Sequence, residues 1–233
     1  MRIANIMTSK VLGGVEQAFL DYNKALASKG NEVFAIFNKN GKIDEKIEKL
    51  DNVHYVPSLF IKPYCFSFFN FLFKIKKINP QIIILHSKNV LYLFSIIGKI
   101  LKIPVVIVCH NDKIKKIKKA DYIFSITNYQ KQVFITSGLN SKKIFVIPNL
   151  VQFKLNYKEF QNFSTPPIFG IIGRFDPAKG FPFFINACKV LKDRGFDFKV
   201  KIAGTPQKQY IDEYEKIQEL IEKNDLSKQI EFL

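Results

Sequence analysis

The chain has 233 residues, a formal charge of +16 and 47% hydrophobic residues, enough apolar side chain for one large core or two modest ones and too much for a disordered chain. All but three of its 36 basic residues are lysines, scattered among Ile, Asn and Phe in nearly every segment, a pattern that fits an AT-rich genome and argues against a dedicated nucleic-acid groove. The three cysteines, Cys65, Cys109 and Cys188, show no C-x-x-C or Cys/His ligand spacing; this argues against a disulfide framework and a zinc site and suits a reducing cytoplasm.

The chain opens on a strand-like run, Arg2 to Met7, without the apolar stretch and small-residue cleavage site of an export signal. Gly13 and Gly14 follow, then a helix over Glu16 to Lys29 with Phe19, Tyr22, Ala25 and Leu26 on one face and Gly30 as its stop. Strands are predicted at Glu32 to Phe37 and Val53 to Val56. The aromatic block "YCFSFFNFLFKIKKINP" comes next, with a helix over Tyr64 to Lys77. A strand at Gln81 to Leu85 leads into a helix at Asn89 to Leu101, a strand at Val105 to Cys109 and a short helix around Asp112 to Lys119. The most apolar long stretch, Val90 to Val108, is broken by Lys99, Lys102 and Pro104, so a membrane span is not expected. A strand at Tyr122 to Ile126, a helix at Asn128 to Ser137 and a strand at Ile144 to Ile147 complete the first series.

This alternation is the mark of βαβ units around a parallel sheet, and residues 1–147 are expected to form one Rossmann-like α/β domain. Residues 148–166 have neither period and finish in prolines, which reads as a linker. A second series then begins: strands at Ile168 to Ile172, Phe198 to Ala203 and Gln229 to Leu233, with helices near Lys179 to Asp193 and Tyr210 to Asn224. Three strands and two helices leave a sheet edge and apolar surface without partners, so residues 167–233 are expected to be an incomplete second Rossmann-like domain.

Three stretches carry chemistry. Gly13 and Gly14 bring backbone N–H groups and a helix N-terminus to one place, which suits phosphate; the alternative is two glycines easing a strand into a helix. The pattern is neither G-x-G-x-x-G nor a P-loop. In "GIIGRFDPAKGF", Arg174 ends a strand and Lys179 stands at the mouth of the next helix, so that a planar fork and a point charge could grip a diphosphate; a solvated charged loop is the alternative. Two of the three histidines, His86 and His110, end parallel strands and should open on the crevice of the Gly13 loop, although either could be a packing residue. His54 reads as packing. The five phenylalanines of the aromatic block precede Lys74, Lys76 and Lys77 and suit either a two-sided core helix, the favoured reading, or an amphipathic helix at a bilayer interface.

Together, "GGVEQAFLDYNKALASKGNEV", "IFVIPN" and "IIGRFDPAKGFPFFINACKVLKDRGFDFKVKIAGT" resemble, in order, the first loop and helix, the approach to the hinge and the first C-domain unit of family 4 glycosyltransferases, two-domain enzymes of the GT-B type. The resemblance implies transfer from a nucleotide-sugar donor to a saccharide or lipid-linked acceptor in envelope polysaccharide or lipopolysaccharide synthesis, with retention and without metal or cofactor. It implies that Arg174 and Lys179 hold the donor diphosphate, that Gly13 and Gly14 approach the donor phosphate or sugar, that His110 bonds the transferred sugar, and that His86 and Glu16 are crevice-wall residues. A cytoplasmic location, peripheral to the inner face of the membrane, goes with it. Leu150 and Val151 stand where the family usually has Gly after Pro-Asn, and the 233 residues hold no E-x7-E element. The expectation is therefore a C-terminally shortened member with little transfer alone; the alternative is a non-catalytic remnant or a binding subunit completed by a separate chain.

Overall fold

The computed structural model describes residues 1–61, 67–150, 165–206 and 210–233. Residues 64–66 of the aromatic block and most of the expected linker lie outside the described residues. The chain divides into two compact units, Met1–Lys154 and Leu155–Leu233.

The first unit is a parallel seven-stranded sheet: β1 (Arg2–Met7), β2 (Glu32–Asn38), β3 (Val53–Ser58), β4 (Ile82–Leu85), β5 (Val105–Cys109), β6 (Tyr122–Ser125) and β7 (Ile144–Val146), in the order β3-β2-β1-β4-β5-β6-β7. All five residues of β5 and all but the first of β1 are buried, as expected for central strands covered on both faces. The strand order reverses between β1 and β4, which pair directly from Ile3–Ile82 to Ile6–Leu85. In open α/β sheets ligands bind outside the carboxyl ends of the strands at this reversal. The helices are α1 (Gly14–Ser28), α2 (Phe68–Ile78), α3 (Leu91–Leu101) and α4 (Asn128–Thr136). One core joins α2 and α3 to Ala4, Ile6, Ile83, Leu85, Val105 and Ile107; on the opposite face Phe19 and Tyr22 of α1 pack with Met7, Ile3 and Ile84. Chain alternation along β1 therefore aims Asn5, between Ile3 and Met7, at α1.

The second unit is a three-stranded parallel sheet in the order β10-β9-β8, with β8 (Ile168–Ile172), β9 (Lys199–Ala203) and β10 (Ile230–Phe232), and two helices, α5 (Phe181–Asp193) and α6 (Ile211–Lys223). Its core gathers Phe175, Phe181, Ile185, Val200, Ile202, Ile217 and Ile221.

Boundaries shift where local geometry intervenes. The helix expected from Asn89 starts instead with a 3-10 turn, Lys88–Val90, and only Ile117–Lys119 of the segment after β5 is helical, again as 3-10. The helix expected at Lys179 begins at Phe181, because Gly180 takes φ 71° between the 3-10 turn Pro177–Lys179 and α5, a conformation glycine adopts without steric cost. In α2, Phe71 and Ile75 are buried whereas Phe69 and Phe73 are 69% and 66% exposed, so the aromatic block is a core helix on one side only.

Candidate functional site

At the reversal point, His86 follows β4 and its backbone N–H donates to Ile6 O at 3.0 Å, prolonging the β1–β4 ladder. Its ring is 5% exposed and stands edge-on to Tyr22 and Phe19 at 4.9 and 5.7 Å between centroids. His110, which follows β5, is half-buried and lies near-parallel to it, with ring centroids 5.4 Å apart. The two rings meet at 3.2 Å, His86 Nδ1 to His110 Nε2, and His86 Nε2 lies 3.0 Å from Asn5 Oδ1. Asn5 Nδ2 donates to Asn23 Oδ1 at 2.7 Å and Phe19 O at 3.3 Å. The two histidines expected at one sheet edge are thus brought together, with His110 at the accessible end and His86 behind it.

Burial holds the His86 imidazole well below its ordinary pKa, and the neighbouring His110 adds to the effect. Burial also lowers His110, opposed by the Glu16 carboxylate and assisted by Lys88. A histidine that charges readily when unfolded but stays neutral when folded leaves the unfolded state binding more protons, so stability falls as pH drops below about 6.5, by up to about 1.4 kcal/mol per pH unit for one such group. Urea unfolding at pH 7.5 and 5.5 checks this: the loss at pH 5.5 should be smaller in His86→Phe than in the wild-type chain.

Glu16 lies in the first turn of α1 and is buried. A Cβ at Gly13 would stand 3.2 Å from Glu16 Oε2, whereas one at Gly14 would meet nothing within 4 Å. Gly13 has extended backbone, so its value is the room it leaves for the carboxylate. That carboxylate stands in the first turn of α1, where the helix dipole favours a negative side chain.

Beside these residues, a hollow of about 550 Å³ is lined by Thr8, Ser9, Lys10, Asn38, Phe60, Ser87 and Asn89, from the carboxyl ends of β1 to β4. It joins hydroxyls and amides with one aromatic face. No sequence motif marks it; the signal available was the run of polar residues directly after successive strands.

In the second unit Arg174 and Lys179 flank the turn after β8. Arg174 Nη2 donates to Asp176 Oδ2 at 3.3 Å, while Asp176 Oδ1 accepts from Ala178 N at 3.0 Å. The arginine is therefore oriented by a carboxylate that also caps the 3-10 turn. The aliphatic stem of Lys179 crosses Gly173, whose Cβ position lies 3.7 Å from Lys179 Cγ. His54, read as packing, stacks on Phe34 at 4.7 Å and meets Glu32 Oε1 at 3.1 Å. Among the described residues no group of His, Cys, Asp and Glu is placed to hold a metal ion, and no helix is long and apolar enough to cross a membrane.

The family model of Glycosyltransferase Family 4 matches residues 12–154, and that of Glycosyl transferases group 1 matches residues 153–233. The chain belongs to Glycosyltransferase Family 4. This Family 4 chain has the GT-B architecture. It is similar to a glycosyltransferase from Rickettsia africae ESF-5, with TM-score 0.81 and 20% identity over 100% of this chain and 67% of that one. It is also similar to Anabaena Alr3699/HepE in complex with UDP-glucose, with TM-score 0.75 and 15% identity over 100% and 68%. The apo lipopolysaccharide outer core galactosyltransferase WaaB gives TM-score 0.69 and 16% identity over 100% and 67%. No curated protein matches the chain by sequence.

Proposed function

We propose that the chain takes a glycosyl group from a nucleoside diphosphate sugar and passes it to a saccharide or lipid-linked acceptor of the cell envelope, with retention and without a metal. The observation that carries this is the Arg174–Lys179 turn at the carboxyl end of β8, where two cations stand at the position open α/β sheets reserve for ligands. Fixed cations there stabilise the charge that develops on a leaving diphosphate. The Anabaena relative is complexed with UDP-glucose, which supports a uridine nucleotide as the first donor to try. In the first unit His110 offers a hydrogen bond to the transferred sugar, and the polar hollow with Phe60 suits the hydroxyls and ring face of an acceptor sugar. The test is nucleoside diphosphate release from a panel of nucleotide sugars with a membrane lipid extract, alongside calorimetric titration with uridine diphosphate. Release that depends on the acceptor supports the assignment; neither release nor binding with any nucleotide overturns it.

The exposed side of α2 gives the proposed membrane contact its surface. Phe69 and Phe73 lie one turn apart and are followed by exposed Lys76 and Lys77, apolar side chains to enter an interface and cations to meet lipid phosphates. Lys74 is not part of this face: its Nζ donates to Ser58 Oγ at 2.6 Å. Co-sedimentation with phosphatidylglycerol vesicles should fall roughly tenfold or more in Phe69→Ser/Phe73→Ser, since a buried phenylalanine is worth about 1.5–3 kcal/mol. Equal sedimentation of the double variant and the wild-type chain would remove α2 from any membrane contact.

A further inference from the structure

We infer that Asn5 and His86 are positioning residues that hold His110 as its Nε2–H tautomer, so that the Nδ1 lone pair is what the ring offers to a ligand. The assignment follows along the chain of contacts. Asn5 Nδ2 faces the backbone carbonyl of Phe19, an acceptor however the side-chain amides are set, and Asn23 Oδ1 beside it, which turns Asn5 Oδ1 toward His86. His86 Nε2, 3.0 Å from that oxygen, must carry a proton. A ring so buried is neutral, so its Nδ1 has none and can only accept. His110 Nε2, 3.2 Å away, is then the donor, and in neutral His110 the Nδ1 is left as an acceptor.

The ring planes are fixed as firmly as the protons. His86 is held edge-on by Tyr22 and Phe19 and lies near-parallel to His110, side by side with it. Asn5 is fully buried on β1 and Asn23 is fully buried on α1. An apolar set of the same shape would be about as stable or more so, so stability alone gives no reason for this relay. Glu16 of α1 and Lys88 of the turn after β4 are the charged groups that face His110; they act on its charge in opposite directions and neither makes a hydrogen bond to it among the described residues. The ligand chemistry that matches is a hydroxyl that donates, as a sugar hydroxyl does. This last step rests on the reading of His110 as the sugar contact; the tautomer itself does not.

The test is two-bond ¹H–¹⁵N correlation on the full chain labelled with ¹⁵N-histidine at pH 7.5. With only three histidines in the sequence, His→Gln variants assign the signals. His86 and His110 should both show a protonated Nε2 and an unprotonated Nδ1. His86→Phe, which keeps an aromatic ring against Tyr22 and Phe19, and Asn5→Leu should each lose the single tautomer at His110. A protonated Nδ1 on His110 in the wild-type chain overturns the inference, whatever the variants do, and so does a single tautomer that survives in folded His86→Phe. Addition of UDP-glucose should shift the His110 Nδ1 signal; a correct tautomer whose signal does not move upholds the relay and counts against His110 as the sugar contact.

Discussion

Replacing Arg174 and Lys179 together with alanine is expected to weaken uridine diphosphate binding roughly a hundredfold or more. Each cation offers a charge-assisted hydrogen bond, worth about 1.5–3 kcal/mol, and two such losses at about 1.4 kcal/mol per tenfold give that figure. The two residues should not contribute equally. Arg174 is already engaged by Asp176 at 3.3 Å, so a phosphate gains the arginine partly in exchange for an existing partner. Lys179 makes no ion pair among the described residues and gives its full charge. Lys179→Ala alone should therefore cost more than Arg174→Ala alone, and the binding that remains should be less sensitive to salt, because fewer screened charges take part. Titration calorimetry at two ionic strengths measures all of this. Unchanged binding by the double variant would show that the turn after β8 does not hold the diphosphate.

Arg174 was legible in sequence for a simple reason. Parallel strands read as continuous apolar runs, so "IFGII" and "VVIVC" declare themselves although only the second is buried, and a polar residue just past such a run stands at a strand end. Arg174, His86 and His110 are all of this kind. What the sequence concealed depends on contacts between elements. Asn5 lies inside a strand, and its partners Phe19 and Asn23 are 14 and 18 residues further on; only the packing of α1 across β1 shows that they meet. Asp176 looks like an ordinary turn residue until its two oxygens are seen to divide between Arg174 and Ala178 N. Gly13 reads as part of a loop for the donor phosphate or sugar, and only the structure shows that its nearest constraint is the Glu16 carboxylate. The exposed face of α2 was concealed for the opposite reason: five phenylalanines in a row of eight residues have no apolar stripe to read, so only the structure separates buried Phe71 from exposed Phe69 and Phe73.

Gly204→Ala is expected to damage the same site without touching a charge. A Cβ at Gly204 would stand 2.2 Å from Gly173 O and 3.3 Å from two ring carbons of Phe175. The first contact is with backbone rather than the end of a flexible side chain, so the peptide at Gly173 must move. Gly173 N donates to Ala203 O at 2.9 Å and ties the end of β8 to the end of β9; the displacement therefore breaks into the sheet and into the turn that carries Arg174. Phe175 is held in the core by Phe181 and Tyr214 at 5.0 and 4.8 Å between centroids and cannot swing aside freely. Overpacking of this kind costs about 1–3 kcal/mol, occasionally more, and a contact this short belongs at the upper end. Gly170→Ala is the control: it adds the same methyl group to the same sheet, but its nearest neighbour, Lys201 O, is at 3.9 Å, an ordinary van der Waals distance. Hydrogen exchange read by mass spectrometry should show faster exchange across β8, β9 and α5 in Gly204→Ala, with β1, β4 and β5 unchanged, and uridine diphosphate binding should fall with it. Gly170→Ala should resemble the wild-type chain in both measurements. Full protection and full binding in Gly204→Ala would show that the close approach of the two strand ends is not required to set the diphosphate turn.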